Sequence, residues 1–409
     1  MTNKEELTRC VDRLRALAEK TVCDCTFPKE TCYFGEPAEG NVLLPSGDEK
    51  YISFWVRDAA MMAESGLVSN ADLKRYVEII ATCGQNGEET LCLANGLTVP
   101  PFAVADHINY DGKPVFFPGT YRSGEDQGDG SYGFYPPFCD NYYFIIMAGQ
   151  YLRQSGDRAI LNGSYGGMTL AERLEKAFTG YNIDKETQLC VSDPECYTVD
   201  WGFVDGVKKT GKLLMASCLR YHAAQILRQI FPDSAYYAGI IKTLQANILQ
   251  TFYDKSTGWF RSATGIGRQH DVWATAYAVF LGITREEKTL AALAGGYRNQ
   301  TAVVHGYVRH ILTNEDASES SAWESSIAEY GTYQNGGYWA TPTGWYGYGL
   351  YLYDGSISIF EDFLQHTQAY QNTGAPFEWI NTDTTDFSGL WYGTSGVLPY
   401  IGAKEITHG

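Results

Sequence analysis

Six times along this chain of 409 residues, a loop dense in Trp, Tyr, Gly and Asp runs straight into an apolar helix. The six junctions are Phe54-Trp55-Val56-Arg57-Asp58, Gly133-Phe134-Tyr135-Pro136-Pro137, Asp200-Trp201-Gly202-Phe203, Gln269-His270-Asp271-Val272-Trp273, Gly336-Gly337-Tyr338-Trp339 and Pro376-Phe377-Glu378-Trp379. Between them lie plainer amphipathic segments. A recurrence of apolar residues at 3.6-residue spacing predicts helices over 4–20, 58–65, from Asn70 as cap, 140–155, 169–178, 212–230, after Pro232-Asp233, 271–281, 284–295, 343–353, from Ser356 and 389–401. The ninth opens on Thr284-x-x-Glu287, a capping-box pattern. Even-numbered segments are rich in Gly, Ala and aromatics and poor in charge, whereas odd-numbered ones carry Lys, Arg, Glu and Gln on one face. An inner ring of buried helices inside an amphipathic outer ring produces that alternation.

The expected architecture is therefore all-α, a single (α/α)6 toroid over 1–409. A long loop at 87–137 is expected to hold short strands near 98–104 and 113–117. The six aromatic loops all precede even helices, so they should gather at one mouth. A stacked-hairpin solenoid would alternate similarly, but it needs no aromatic loops and no fixed sequence period is present.

Composition narrows the ligand. A formal charge of −17 repels nucleic-acid phosphates and disfavours polyanions. Aromatic rings beside carboxylates are what a sugar needs: rings cover the apolar faces of a pyranose, and carboxylates bind hydroxyls and move protons. The 30 Tyr against 19 Phe suit such a surface, and equally a large core whose phenols find internal partners. No stretch approaches the ~18 apolar residues of a membrane span, and no signal-peptide core follows Met1. A cytoplasmic protein is expected, with reduced thiols, because the cysteine spacings match no zinc pattern. No metal or cofactor is expected, no membrane or nucleic acid as partner, and nothing specifies an oligomeric state. The stretch 123–130 lacks the spaced ligands and terminal Glu of an EF-hand.

The chain resembles the six-hairpin glycosidases. The segment 200–281 is most similar to the catalytic domain of bacterial α-L-rhamnosidases, with Asp200-Trp201 ahead of an inner helix and Phe252-Tyr253-Asp254-Lys255-Ser256-Thr257-Gly258 after an outer one. Trp55-Val56-Arg57-Asp58 resembles their Trp-x-x-Asp loop and the Trp-x-Arg-Asp of trehalase and glucosidase relatives. Phe377-Glu378-Trp379 resembles the loop that carries the general base. The accompanying β-sandwich domains of rhamnosidases are absent from this sequence.

What the resemblance implies is inverting glycoside hydrolysis by two carboxyl groups on the loops before the sixth and twelfth helices. In inverting enzymes the pair stands about 6.5–9.5 Å apart, with a water between. The acid loop, 195–206, holds Glu195, Asp200 and Asp205; the base loop, 374–389, holds Glu378, Asp383 and Asp386. Asp200 is the expected acid, since Trp201 beside it would exclude water and raise its pKa; an aspartate there serves equally as a cap or a sugar ligand. Rhamnosidases carry their acid seven residues before the Asp of the Trp-x-x-Asp loop. Here that position is Tyr51, leaving Glu49, Asp48 and Asp58 as rivals. Glu378 is the expected base, with Glu324 of Trp323-Glu324 as substitute. Trp55, Arg57, Asp58, Asp106, His107, Tyr135, Trp201, His270, Asp271, Trp339, Trp345 and Trp379 are expected to bind the small carbohydrate. Two other readings stand beside this one: a sugar epimerase working through His270 and His305, and a toroid that binds carbohydrate without turnover.

Overall fold

A computed structural model describes residues 3–33, 36–46, 51–124, 126–315, 326–370, 376–381 and 391–408. Within them run α1 (Asn3–Cys25), α2 (Val56–Ala63), α3 (Asn70–Ile79), α4 (Phe138–Ser155), α5 (Leu170–Thr179) and α6 (Leu214–Ile230). They are followed by α7 (Ala235–Phe252), α8 (Val272–Phe280), α9 (Glu287–Arg298), α10 (Thr343–Asp354), α11 (Ser358–Tyr370) and α12 (Gly393–His408). The even helices close a ring: α2 packs on α4, α4 on α6, α6 on α8, α8 on α10, α10 on α12, and α12 back on α2. The odd helices lie outside, with α1 against α11 and α12, α5 against α4 and α6, and α9 against α8 and α10. This is the (α/α)6 toroid.

The burial pattern gives the reason. In α2 every residue from Val56 to Ala63 is buried, and in α4 burial is continuous from Phe138 to Leu152. Outer helices bury one stripe: Leu170, Arg173, Leu174, Ala177 and Phe178 in α5. The resulting apolar cluster runs from Leu7 to Ile406. Inner helices touch backbone to backbone where glycine allows it. A Cβ on Gly402 of α12 would stand 2.0 Å from the carbonyl oxygen of Gly344 in α10.

Helix starts follow local chemistry. Thr169 and Glu172 form a reciprocal capping box on α5. Ser69, not Asn70, caps α3 by accepting from the Asp72 amide. The expected capping box at α9 does not form: the Thr284 hydroxyl accepts from the Glu286 amide instead. The twelfth helix starts at Gly393, later than expected, and residues 382–390 lie outside the described ones. One element was not anticipated, an antiparallel hairpin of Thr26–Tyr33 with Glu36–Leu43 between α1 and α2.

Two small sheets carry the loops that matter. Phe54–Trp55 pairs antiparallel with His107–Ile108, which pairs with Pro114–Val115 in the long loop. Its register sets Trp55 opposite His107. On the other side, Tyr307–Arg309, Tyr338–Trp339 and Trp379–Ile380 form consecutive antiparallel strands, with Trp339 opposite Trp379.

Candidate active site

These two sheets face one cavity of about 670 Å³, including its open mouth. Tyr51, Trp55 and Arg57 come from the segment into α2, Asp106, His107, Tyr121 and Tyr132 from the long loop, and Phe203 and Asp205 from the segment before α6. Tyr333, Trp339, Glu378 and Tyr392 complete the wall. Loops ahead of α2, α4, α6, α10 and α12 thus meet at one mouth.

Arg57 organises the floor. Its Nη1 pairs with Asp106 Oδ1, stands 3.6 Å from Asp140 Oδ1, and its Nε lies 3.9 Å from Asp58 Oδ2. Burial works against its charge, but the surrounding carboxyls keep the guanidinium cationic. Gly202 passes so close that a Cβ there would lie 2.3 Å from the Arg57 Cζ. Burial also opposes ionisation of Asp106, yet Arg57 and His107 overcome it and hold this carboxyl at about 2. Asp140 has Arg57 only at the longer distance: burial outweighs that charge and pushes its carboxyl well up, and neither oxygen is within hydrogen-bond reach of a donor. Burial raises Asp58 to about 6 although Arg57 opposes it, and Tyr392 donates its hydroxyl to Asp58 Oδ1 at 2.6 Å.

The two carboxyl groups on opposite loops differ in surroundings. Glu378, only 3 % exposed, accepts the Tyr51 hydroxyl on Oε1 at 3.0 Å. Tyr51 stands edge-on to Trp55 and Tyr392, at 5.3 and 5.7 Å between ring centres. Burial and the facing Glu378 carboxyl push its phenol far up, so it stays a neutral donor. Asp205 accepts from Gln334 Nε2 at 2.7 Å, and Gln334 Oε1 takes the Gly206 amide. Burial raises the Asp205 carboxyl to about 6 against the pull of Arg57. A carboxyl at that value keeps its proton far into the mildly acid range, as a general acid requires.

Of the expected site residues, Trp55, Arg57, Asp106, His107, Trp339 and Glu378 line the cavity. The others do not, for separate reasons. Asp200 is turned into the protein, where Lys209 Nζ stands 2.6 Å from Oδ2 and the Ala216 amide of α6 donates to Oδ1 at 2.7 Å. Its aromatic neighbour Trp201 packs beneath the floor against Trp273 and Trp345 and donates to the Tyr143 hydroxyl. Trp345 stays in that layer against Tyr277. Asp271 caps α8 and faces His310 and Lys209 at 3.2 and 3.7 Å. His270 is held between Glu315 and Asp254, its Nε2 3.2 Å from the latter. Tyr135 bridges Thr198 through its backbone and leans on Tyr181. Trp379 meets Tyr333 edge-on from behind, and Asp58 sits behind Tyr392. Asp48, Glu49, Glu324, Asp383 and Asp386 lie outside the described residues.

Neither histidine of the epimerase reading lines the cavity; His305 stacks on His366, ring centres 4.9 Å apart. Residues missed from sequence are mostly phenols: Tyr121, Tyr132, Tyr333 and Tyr392. With 30 tyrosines in the chain, no local signal separates a wall phenol from a core one. Asp205, five residues after Asp200, was named in the acid loop but passed over in favour of Asp200; it is Asp205 that lines the cavity. Among the described residues no group of three or more His, Cys, Asp or Glu is arranged to hold a metal ion, and no described helix is long and apolar enough to cross a membrane.

The fold is shared with glycosidases. A rhamnosidase from Klebsiella oxytoca with rhamnose bound matches 96% of the chain at a TM-score of 0.57 and 13% identity. The chain spans 64% of that protein's length. A structure described as a wild-type glycosidase matches 100% of the chain and 99% of its own length, at a TM-score of 0.55 and 10% identity. A GH76 alpha-mannanase of Bacteroides thetaiotaomicron matches at 0.51 and 10% identity, covering 97% of each chain. No protein-family model matches the sequence, and no curated relative does.

Proposed function

We propose that the protein is an inverting glycoside hydrolase acting on a small neutral glycoside or oligosaccharide, with Asp205 as general acid and Glu378 as general base. The observation that carries this reading is the placement of these two carboxyl groups. They come from the loops ahead of α6 and α12 and line one aromatic-walled cavity. Asp205, held near 6, gives its proton to the glycosidic oxygen as that bond breaks. Glu378 takes a proton from the water that attacks the anomeric carbon from the other side. One proton leaves Asp205 and one arrives on Glu378; the products are a free alcohol and a sugar of inverted anomeric configuration. Asp200, the acid expected from sequence, is replaced in this scheme because Lys209 and the Ala216 amide occupy its carboxylate.

Neutral substrates fit the wall's charge. Asp106, Asp205 and Glu378 face the cavity with Arg57 as counter-charge, so an anionic sugar would meet more acid than base. The test is hydrolysis of a panel of nitrophenyl glycosides and disaccharides by the wild type, Asp205→Asn and Glu378→Gln, with the first-formed anomer read by NMR. Each variant should lose about 10²–10⁴-fold in turnover. Asp205→Asn should be partly rescued by nitrophenolate leaving groups, which need no proton. Near-normal turnover by Glu378→Gln would move the base to Glu324.

A further inference from the structure

We infer that His107 selects the sugar: its Nε2 accepts a hydrogen bond from one ring hydroxyl, so the site rejects the sugar that lacks that hydroxyl. This inference rests on the sugar-site reading above and adds to it an atom, a direction and a discrimination.

The geometry fixes the tautomer of the neutral ring. His107 is 1 % exposed, and its Nδ1 lies 2.8 Å from Asp106 Oδ2. The other oxygen of Asp106 is taken by Arg57. A carboxylate held ionised by a guanidinium accepts only, so Nδ1 must be the donor. In the neutral imidazole that leaves Nε2 with a lone pair and no hydrogen. Nε2 is buried and has no hydrogen-bond partner, while the residue lines the cavity. A buried acceptor left unmade is costly, and sites of this kind discriminate strongly against a ligand that cannot satisfy them.

The ring cannot turn away to satisfy itself elsewhere. It lies on Trp55 with centres 4.4 Å apart and 23° between planes, as the strand register requires, and Tyr121 flanks it at 6.0 Å. Around it the cavity supplies a cation in Arg57 and acceptors in Asp106, Asp205 and Glu378. The phenols of Tyr51 and Tyr392 already donate, to Glu378 and Asp58. A sugar hydroxyl is both donor and acceptor, and only its donor half can complete Nε2.

The experiment is calorimetric binding of the best-bound neutral monosaccharide and its complete set of monodeoxy and deoxyfluoro congeners to wild type and His107→Phe. Phenylalanine keeps the stack on Trp55 and deletes the acceptor. The wild type should bind one deoxy congener and its fluoro counterpart roughly ten- to hundredfold more weakly than the parent. His107→Phe should bind the parent that much more weakly, yet bind that congener as the wild type does. Two further variants separate the lone pair from the shape. Gln places an amide oxygen where Nε2 stands and should restore part of the discrimination; Asn reaches only the Nδ1 position and should not. Equal weakening of every congener by His107→Phe, or none, overturns the inference, as does rescue by Asn as strong as by Gln. Failure of the hydrolase reading is distinguishable, since it would leave this coupling in binding intact while no glycoside is cleaved. If the wild type binds no neutral sugar, both fall together.

Discussion

Asp200→Asn separates a catalytic from a structural aspartate. Asp200, Lys209 and Asp271 are all at most 3 % exposed, and the ammonium lies 2.6 Å from one carboxylate and 3.7 Å from the other. Amidation removes the nearer negative charge and leaves Lys209 buried with the more distant one. Breaking a buried pair from one side costs about 3–5 kcal/mol. The Ala216 amide keeps its acceptor, because the Asn carbonyl can replace Oδ1. Unfolding entropy of about 2 cal/mol/K per residue over 409 residues converts 3 kcal/mol into a melting-temperature loss of only about 3–4 °C. Calorimetry and turnover measured on the same folded sample give the answer: a lower Tm with turnover close to wild type. A general acid would behave oppositely, losing ~10²–10⁴-fold in rate at unchanged Tm. The double variant Asp200→Asn with Lys209→Met should recover part of the stability, since the Asn carbonyl keeps the Ala216 amide satisfied and no buried ammonium is left short of its nearer carboxylate. An Asp200→Asn protein that melts normally and no longer turns over would refute the placement of the acid on Asp205.

Three further outcomes follow from the same geometry. Removing the phenol of Tyr51 with Tyr51→Phe should slow turnover and move the acid limb of the pH–rate profile upward, because a donated hydrogen bond favours the Glu378 carboxylate; an unmoved limb would show that Glu378 is not the group titrating there. Gly202→Ala should cost about 1–3 kcal/mol by overpacking and displace Arg57, with sugar binding falling alongside Tm; normal binding and stability would mean that the backbone yields there. Burial holds Asp58 at about 6, above its ordinary value, so its contribution to stability is complete below about pH 4 and is lost as pH rises through 6. The wild type should therefore lose stability relative to Asp58→Asn between about pH 4 and 6 in urea titrations, and parallel curves would contradict the raised value.

The toroid was legible because its cause is local. A helix that is apolar all round, like α4, has to be interior, and one with a single stripe, like α5, has to be exterior. Alternation of the two kinds then leaves little besides a closed double ring. The place of Glu378 on the cavity wall was legible for a related reason: it is the one glutamate within an aromatic stretch ahead of the last helix. The hairpin Thr26–Tyr33 with Glu36–Leu43 was not legible, since its strands carry Pro, Lys and Glu without clean alternation and gain their stability by pairing with each other.

The acid loop marks the limit. Asp200 and Asp205 are five residues apart, both next to aromatics or glycine, and both nearly buried at 3 % and 8 % exposure. Composition cannot tell a carboxylate that caps an inner helix from one that faces a ligand, because both tasks use the same oxygens. Lys209 decides the matter by reaching Asp200, and Gln334, from 129 positions further along the chain than Asp205, by holding Asp205 at the cavity. His107 tells the same story, for its tautomer follows from Asp106, and Asp106 is ionised because Arg57 of another element pins it. The sequence by itself determined the twelve helices, their inner and outer order, and five of the loops that share a mouth, because burial periodicity is written residue by residue; the sixth, ahead of α8, was expected there but does not line the cavity. Tertiary structure alone decided which side chains in those loops turn inward and what charge each one holds, because direction and ionisation are set by neighbours that are distant in the chain and close only in space.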